Sequence, residues 1–169
     1  MDDLHRAALR ATVVRQVAFV SNDLELAAAA CASPPERAML YALAIVAWEW
    51  ADGVLLRVDR IARGLLATRA VHVEIEPQAQ LGEDRVDFLL TMSLRVPEAH
   101  PKSAQMVVEC DGHEWHERSP EQARHDRARD RRLQARDLAV YRYTGSDVWR
   151  DVFGAALEAM GELARRFDK

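Results

Sequence analysis

Apolar positions in the first fifty residues repeat with the period of a helix. They recur near one face of residues 3–18, an alanine-rich stretch covers residues 21–32, and residues 34–50 are apolar nearly all round. The segment Ser33-Pro34-Pro35-Glu36 predicts where the third helix begins, because Ser, Pro and Glu fit the N-cap, N1 and N3 positions of a capping box. The pattern therefore predicts three helices before any strand.

The period changes to that of a strand after residue 70. Residues 54–69 are ambiguous, and we favour a helix there because leucine and isoleucine alternate with arginine at helical spacing. Residues 71–75 alternate with period two, whereas residues 85–94 and 105–109 are more continuously apolar, as in central strands. Two prolines in residues 96–101 predict the turn that joins these two central strands.

The last third of the chain predicts a helix, a strand and a second helix. An arginine-rich helix opens at Ser119-Pro120 and runs to about Arg136, residues 138–143 form a fourth strand, and Ser146 caps a helix over residues 147–167. The buried stripe of that last helix consists of Val148, Val152, Ala156, Met160, Leu163 and Phe167. The whole order predicts an α/β (α+β) chain, a mixed sheet flanked by helices with an N-terminal helical extension.

Acidic residues lie near the ends of the two central strands. Asp87 and Glu109 are equidistant from Glu98 in the intervening turn, so an antiparallel hairpin places their carboxylates roughly opposite each other. Asp111 follows on the same strand as Glu109. Oxygen atoms of this kind are the ligands that Mg²⁺ prefers, so the hairpin predicts a cation site. Taken alone, Asp87 is also compatible with a strand-end carboxylate that accepts backbone hydrogen bonds, which is the usual role of such an acid.

Composition and charge define the class of protein. The 169 residues suit a single domain, and two cysteines form no disulfide framework. No stretch is apolar enough to predict a signal peptide or a membrane span, so we expect a cytoplasmic protein. The net charge of −4 conceals an asymmetry: residues 71–117 hold ten acids and three bases, whereas residues 118–142 hold eight arginines and four acids. A cation site beside an anion-binding helix fits this distribution, as does a solvated helix with internal ion pairs.

Several ordered motifs are similar to one nuclease family. Gln78–Gly82, Arg85–Leu89 and Val108–His116 resemble the very-short-patch-repair-like branch of the PD-(D/E)XK nuclease superfamily, and Ser33–Glu36 resembles the start of its first core helix. The pattern continues in order through Glu121-Gln122-Ala123, Asp126, Arg129-Asp130, Leu133 and Tyr141–Ser146. The similarity covers about residues 33–153. It implies a restriction-endonuclease-like αβββαβ core and a Mg²⁺- or Mn²⁺-dependent DNA endonuclease, with nicking as a candidate mode of cleavage.

The resemblance also implies roles for individual residues. Asp87 and Glu109 are the implied metal ligands, together with the carbonyl oxygen of Cys110, and Asp111 stands where the superfamily has a lysine. His113, His116 and Arg129 are candidates to replace that lysine. The implied catalytic residues are Asp87, Glu109, Asp111, His113 and Arg129; Glu36, Gln122 and His116 are additional candidates; and Arg124, Arg127, Arg131 and Trp115 are candidates for DNA binding.

Simpler interpretations stay open beside these roles. The capping box fully explains Glu36, Arg129 and Asp130 are a candidate ion pair that locks their helix onto the sheet, and Trp115 is a candidate core residue. Because the lysine is missing, a second hypothesis is a catalytically inactive nuclease-like module that binds nucleic acid or a protein partner. We expect a helical extension over residues 1–32, a nuclease domain over residues 33–169, and DNA as the partner; the N-terminal helices are candidates for a homodimer interface.

Overall fold

Helices and strands share a single mixed sheet in the computed structural model, which describes residues 22–51, 53–58, 61–65, 70–95, 102–111 and 120–169. The chain order is α1 (Leu24–Ala30), α2 (Pro34–Trp50), β1 (Gly53–Val58), β2 (Ile61–Leu65), β3 (Ala70–Leu81), β4 (Asp84–Arg95), β5 (Lys102–Asp111), α3 (Pro120–Gln134), β6 (Ala139–Thr144) and α4 (Gly145–Phe167). The described order is helices, five strands, helix, strand and helix, so two strands, β1 and β2, come before the three that were predicted.

The sheet has the strand order β2-β1-β3-β4-β5-β6. Strands β3, β4 and β5 form an antiparallel meander, whereas β1 runs parallel to β3 and β6 runs parallel to β5. Helix α3 forms the crossover between β5 and β6, as a parallel connection requires. The prediction of a mixed sheet preceded and flanked by helices is confirmed, with six strands instead of four.

Apolar side chains form two core clusters, which we call the major core and the minor core. The major core joins the sheet to α1, α2 and α4 through residues such as Leu43 and Met160. The minor core joins the sheet to α3 and is centred on Leu133. Neighbouring residues of β5 alternate between them, with Val108 in the major core and Val107 in the minor core. The predicted buried stripe of the last helix is confirmed, since all its residues are buried or packed against the major core.

The predicted helix over residues 54–69 is wrong for residues 54–58 and 61–65, which form two paired antiparallel strands instead. Strand β1 pairs with β2 in antiparallel register from Val54–Leu65 to Val58–Ile61. Its period-two burial explains the outcome: Val54 and Leu56 are almost fully buried against the helices. On the next strand, Glu74 accepts hydrogen bonds from Arg57 at 2.5 and 2.8 Å, so an arginine that suggested a helix face instead makes a cross-strand ion pair.

Helix α2 begins where the sequence predicts, with one difference in its cap. Ser33 is the N-cap residue, and its hydroxyl accepts from the Glu36 N–H at 3.4 Å. The Glu36 carboxylate does not close a reciprocal box on the Ser33 N–H; its Oε2 accepts from the Ala32 N–H at 2.8 Å. Helix α4 begins earlier than predicted, because Thr144 and not Ser146 is its N-cap residue.

Some predictions lie outside the described residues, namely the helix over residues 3–18 and the turn over residues 96–101. None of the helices in the described parts of the chain is both long and apolar enough to cross a membrane.

Candidate functional site

Four polar residues form a row across four neighbouring strands. Gln78 on β3 lies opposite Asp87 on β4, between the pairs Pro77–Phe88 and Ala79–Val86. Pairing between β4 and β5 ends at Phe88–Val108, and Asp87 and Glu109 are the next residue on each strand, the two that the hairpin prediction places opposite each other. Glu109 in turn pairs with Arg142 on β6. We call this set, Gln78, Asp87, Glu109 and Arg142, the polar row.

The backbone is distorted where the polar row crosses β3 and β4. Pairing between these fully described strands runs from Ala70–Arg95 to Leu81–Asp84 but omits the step Gln78–Asp87. Gln78 has a φ of 52°, in the left-handed region. On β4, Val86 packs in the minor core although Phe88, two residues on, packs in the major core. The normal alternation of a strand is therefore broken at Asp87.

The Asp87 carboxyl group lies among other negative charges. It is partly buried, and its Oδ2 accepts a hydrogen bond from the backbone N–H of Cys110 at 2.7 Å. Burial raises the pKa of Asp87 to about 6, and the negative charges of Glu36 and Glu109 add to this rise, although the Cys110 N–H and Arg129 oppose it. Carboxylates that share a site in this way favour binding of a proton or a cation. The bond to Cys110 also matches the simpler strand-end interpretation.

Glu109 is almost completely buried and is paired with two arginines. Its side chain is 5 % exposed, and its Oε2 accepts from Arg129 Nη1 and from Arg142 Nε, each at 3.0 Å. Arg129 also donates to Glu109 Oε1 and, at 2.8 Å, to the Arg85 carbonyl oxygen. Arg142 also pairs with Asp130. The suggested pair between Arg129 and Asp130 is thus replaced by a network in which both residues act through partners on the sheet.

Glu36 reaches the polar row from the first turn of α2. It is 5 % exposed, and its Oε2 accepts from Gln78 Nε2 at 2.6 Å as well as from the Ala32 N–H. Glu36 therefore does more than cap its helix. It also links α2 to the sheet and adds a third carboxylate whose charge acts on Asp87.

Two helices begin beside the end of β5. At Gly145, the first residue of α4, an added Cβ atom would lie 3.7 Å from Pro35 Cγ in α2 and 3.9 Å from the Asp111 carbonyl oxygen. The starts of α2 and α4 thus meet next to the end of the strand that carries Glu109. Helix N-termini bear partial positive charge, so they favour carboxylates and phosphates at this edge.

The remaining predicted site residues are either exposed or not described by the structure. Asp111 is exposed at the end of β5, and Arg124, Arg127 and Arg131 are exposed on α3. Gln122 belongs to α3, but its side chain is not among the described parts of the chain. His113, Trp115 and His116 lie outside the described residues.

Sequence analysis missed Gln78 and Arg142 as site residues. Gln78 carries no signal beyond its place in a motif, because its role depends on a backbone distortion. Arg142 did offer a signal in the sequence, since it is a charged residue between two tyrosines of a predicted strand. The Arg142 side chain is 39 % exposed, and it pairs with Glu109, whose buried charge does need a partner.

The oxygen donors at this site fit a hard divalent cation in type. Asp87 has Oδ1 without a hydrogen-bond partner in the described residues, Glu109 supplies a second carboxylate, and the Cys110 carbonyl a third oxygen. The described residues contain no group of three or more His, Cys, Asp or Glu side chains arranged to hold a metal. A cation here therefore depends on two carboxylates and a backbone oxygen, and Glu109 shares its oxygens with arginine.

Comparisons with known proteins add no assignment. No protein-family model matches this chain, and no curated protein and no solved structure is significantly similar to it.

Proposed function

We propose that this chain is a Mg²⁺-dependent DNA endonuclease with a restriction-endonuclease-like αβββαβ core. In that assignment α2, β3, β4, β5, α3 and β6 are the core elements, in that order. The observation that carries the proposal is the polar row, in which Asp87 lies opposite Glu109 beside a third carboxylate and two helix N-termini. Arg129 and Arg142 already offset the charge of Glu109, so the charges that a cation would offset are those of Asp87 and Glu36.

In the proposed reaction, water attacks the phosphorus atom of a phosphodiester and the bond from phosphorus to the leaving oxygen breaks. Asp87, Glu109 and the carbonyl of Cys110 would hold Mg²⁺ or Mn²⁺. When bound, the cation polarises a phosphoryl oxygen and lowers the pKa of water. His113 is the second residue after the end of β5 in the sequence and is our candidate to accept the proton from the attacking water.

Arginine side chains would supply the positive charge that a motif lysine usually provides. Arg129 contacts Glu109 directly, so its guanidinium lies at the site itself. Charge that develops on the phosphoryl oxygens is stabilised by such preorganised donors. On either side of Arg129 along α3, the exposed Arg124, Arg127 and Arg131 would form a surface for the phosphate backbone of DNA. We call these three residues the arginine surface.

A plasmid-nicking assay tests the proposal. The full chain should relax supercoiled DNA in Mg²⁺ or Mn²⁺ and not in a chelator. Asp87→Asn should lower the cleavage rate by at least about 100-fold, because it removes a negative oxygen from the proposed cation site. Asp168→Asn is the matched control, since Asp168 is exposed at the far end of α4, and it should cleave at the normal rate. Equal cleavage by wild type and Asp87→Asn would show that the activity comes from a contaminant.

One observation favours a second function, a nuclease-like module that binds DNA without cutting it. Both oxygens of Glu109 already accept hydrogen bonds from Arg129, and one also accepts from Arg142. This network neutralises the carboxylate without a metal. Binding of DNA that is unaffected by divalent cations, together with no cleavage in Mg²⁺ or Mn²⁺, would establish this alternative.

A further inference from the structure

We infer that Gln78 is a positioning residue of the proposed catalytic site, which holds the Glu36 carboxylate beside Asp87 by means of an unfavourable backbone conformation. The inference rests on the proposed function. It gives an uncharged side chain, the amide of Gln78, a role in the proposed site. It starts from the geometry of the polar row.

The backbone of Gln78 differs from that of its neighbours. Among the described residues, only Gln78 and Asp137 are non-glycine residues with positive φ, at 52° and 56°. Asp137 has an ordinary explanation, because it follows α3 in a turn where its N–H donates to Gln134 O and the Leu138 N–H donates to Leu133 O. Gln78 instead lies within a paired strand, and glutamine has no local preference for this region. Such conformations persist where surrounding contacts impose them, often at functional sites.

The contact that accompanies this conformation is made by the side chain. Gln78 Nε2 donates to Glu36 Oε2 at 2.6 Å, and the same oxygen accepts from the Ala32 N–H at 2.8 Å. A carboxylate accepts hydrogen bonds and does not donate them, so the amide nitrogen of Gln78 must face Glu36. Two donors therefore fix one oxygen of Glu36, and Oε1 has no hydrogen-bond partner among the described residues.

The consequence is a defined place for a third negative charge. Glu36 is close enough to act on Asp87, yet it belongs to a helix and not to the sheet. Gln78, which falls between the pairs Pro77–Phe88 and Ala79–Val86 beside Asp87, is the β3 side chain that holds Glu36. Without its amide, the Ala32 N–H would be the one donor left to the Glu36 carboxylate among the residues that the structure describes. Gln78 therefore affects the proposed reaction through Glu36 and not by contact with the phosphate.

The test is a double-mutant cycle in single-turnover DNA cleavage by the full chain. Gln78→Gly suits the positive φ, so it should fold, while removing the amide. Glu36→Gln removes the charge. Each should lower the maximal single-turnover rate constant about tenfold and change the half-saturating protein concentration by no more than about twofold. The double variant should be no slower than the slower single variant, because both break one unit. Gln78→Glu keeps the length of the side chain but replaces its amide donor with a carboxylate that repels Glu36. It should be as slow as Gln78→Gly.

Asp137→Gly is the matched control, since it replaces the other positive-φ residue away from the site, and it should cleave at the normal rate. A normal rate for Gln78→Gly, or single effects that multiply to about 100-fold, would overturn the inference and leave the proposed function intact. Wild-type protein that neither cleaves DNA nor binds Mn²⁺ in calorimetry would instead remove the proposed function, and the role of Gln78 with it.

Discussion

Asp87 belongs to the candidate site, and its negative charge lowers the stability of the folded chain at neutral pH. Its pKa is raised from 3.8 to about 6, so the folded chain holds this proton more tightly than the unfolded chain does. A carboxyl group of this kind supports folding at low pH. Its contribution is lost as pH rises from about 4 to about 6, because ionisation is then easier in the unfolded state.

Asp87→Asn should therefore stabilise the protein at pH 7.5 and have little effect at pH 4. The amide oxygen of asparagine can still accept from the Cys110 N–H, so the change removes charge and keeps the hydrogen bond. We expect a gain of about 1 kcal/mol at neutral pH, less than a fully buried group would give, because solvent screens this partly exposed carboxyl. Urea unfolding at both pH values measures it. An equal difference at the two values would mean that Asp87 has an ordinary pKa.

Among individual residues, the sequence predicted some members of the candidate site and missed others. The position of Asp87 opposite Glu109 followed from simple counting in a hairpin, because antiparallel register is symmetrical about its turn. The partners of Glu109 did not follow, since Arg129 and Arg142 come from a helix and a strand whose approach depends on the crossover of α3. Gln78 was beyond prediction because its role depends on one backbone torsion angle.

At the level of elements, local signals predicted helix positions better than they predicted the identity of an ambiguous segment. Residues 53–65 carry apolar residues that fit either period, and pairing with β3 decided in favour of strands.

Helix α4 contains another feature that periodicity hides. Asp151 has non-helical torsion angles, and its carboxylate accepts from the Gly154 N–H at 2.8 Å, as an N-cap residue does. The predicted continuous helix is therefore two helical segments in succession.

The start of α4 offers a prediction about the cap. The Thr144 hydroxyl accepts from the Asp147 N–H at 3.1 Å, and the Asp147 carboxylate accepts from the Thr144 N–H at 3.1 Å, which forms a complete capping box. Thr144→Ala should lower the free energy of unfolding by about 1 kcal/mol. Ser146→Ala, in the first turn of the same helix, should change it by less than about 0.5 kcal/mol. Urea unfolding compares the two. A larger loss for Ser146→Ala would place the cap where the sequence suggested.

At the scale of the whole molecule, charge separates into two regions on a chain that is acidic overall. The acids gather at the polar row and the start of α2, and the arginine surface lies on α3. Most arginines near the sheet are already paired: Arg129 and Arg142 with Glu109, and Arg132 with the buried Asp84 at 2.8 Å. The arginine surface is therefore the part of α3 most available to a polyanion.

This arrangement predicts the salt dependence of DNA binding. In a chelator, fluorescence anisotropy with a short duplex should show affinity falling linearly with salt on a log–log scale, because each neutralised phosphate releases counterions. Arg127→Gln combined with Arg131→Gln should weaken binding and reduce the slope by about 2, roughly one for each phosphate that is no longer neutralised. The control is Arg165→Gln, an exposed arginine near the end of α4 that pairs with Glu162. It should leave the slope unchanged. If all three arginines affected the slope equally, binding would follow net charge alone, and α3 would have no special part in contacting DNA.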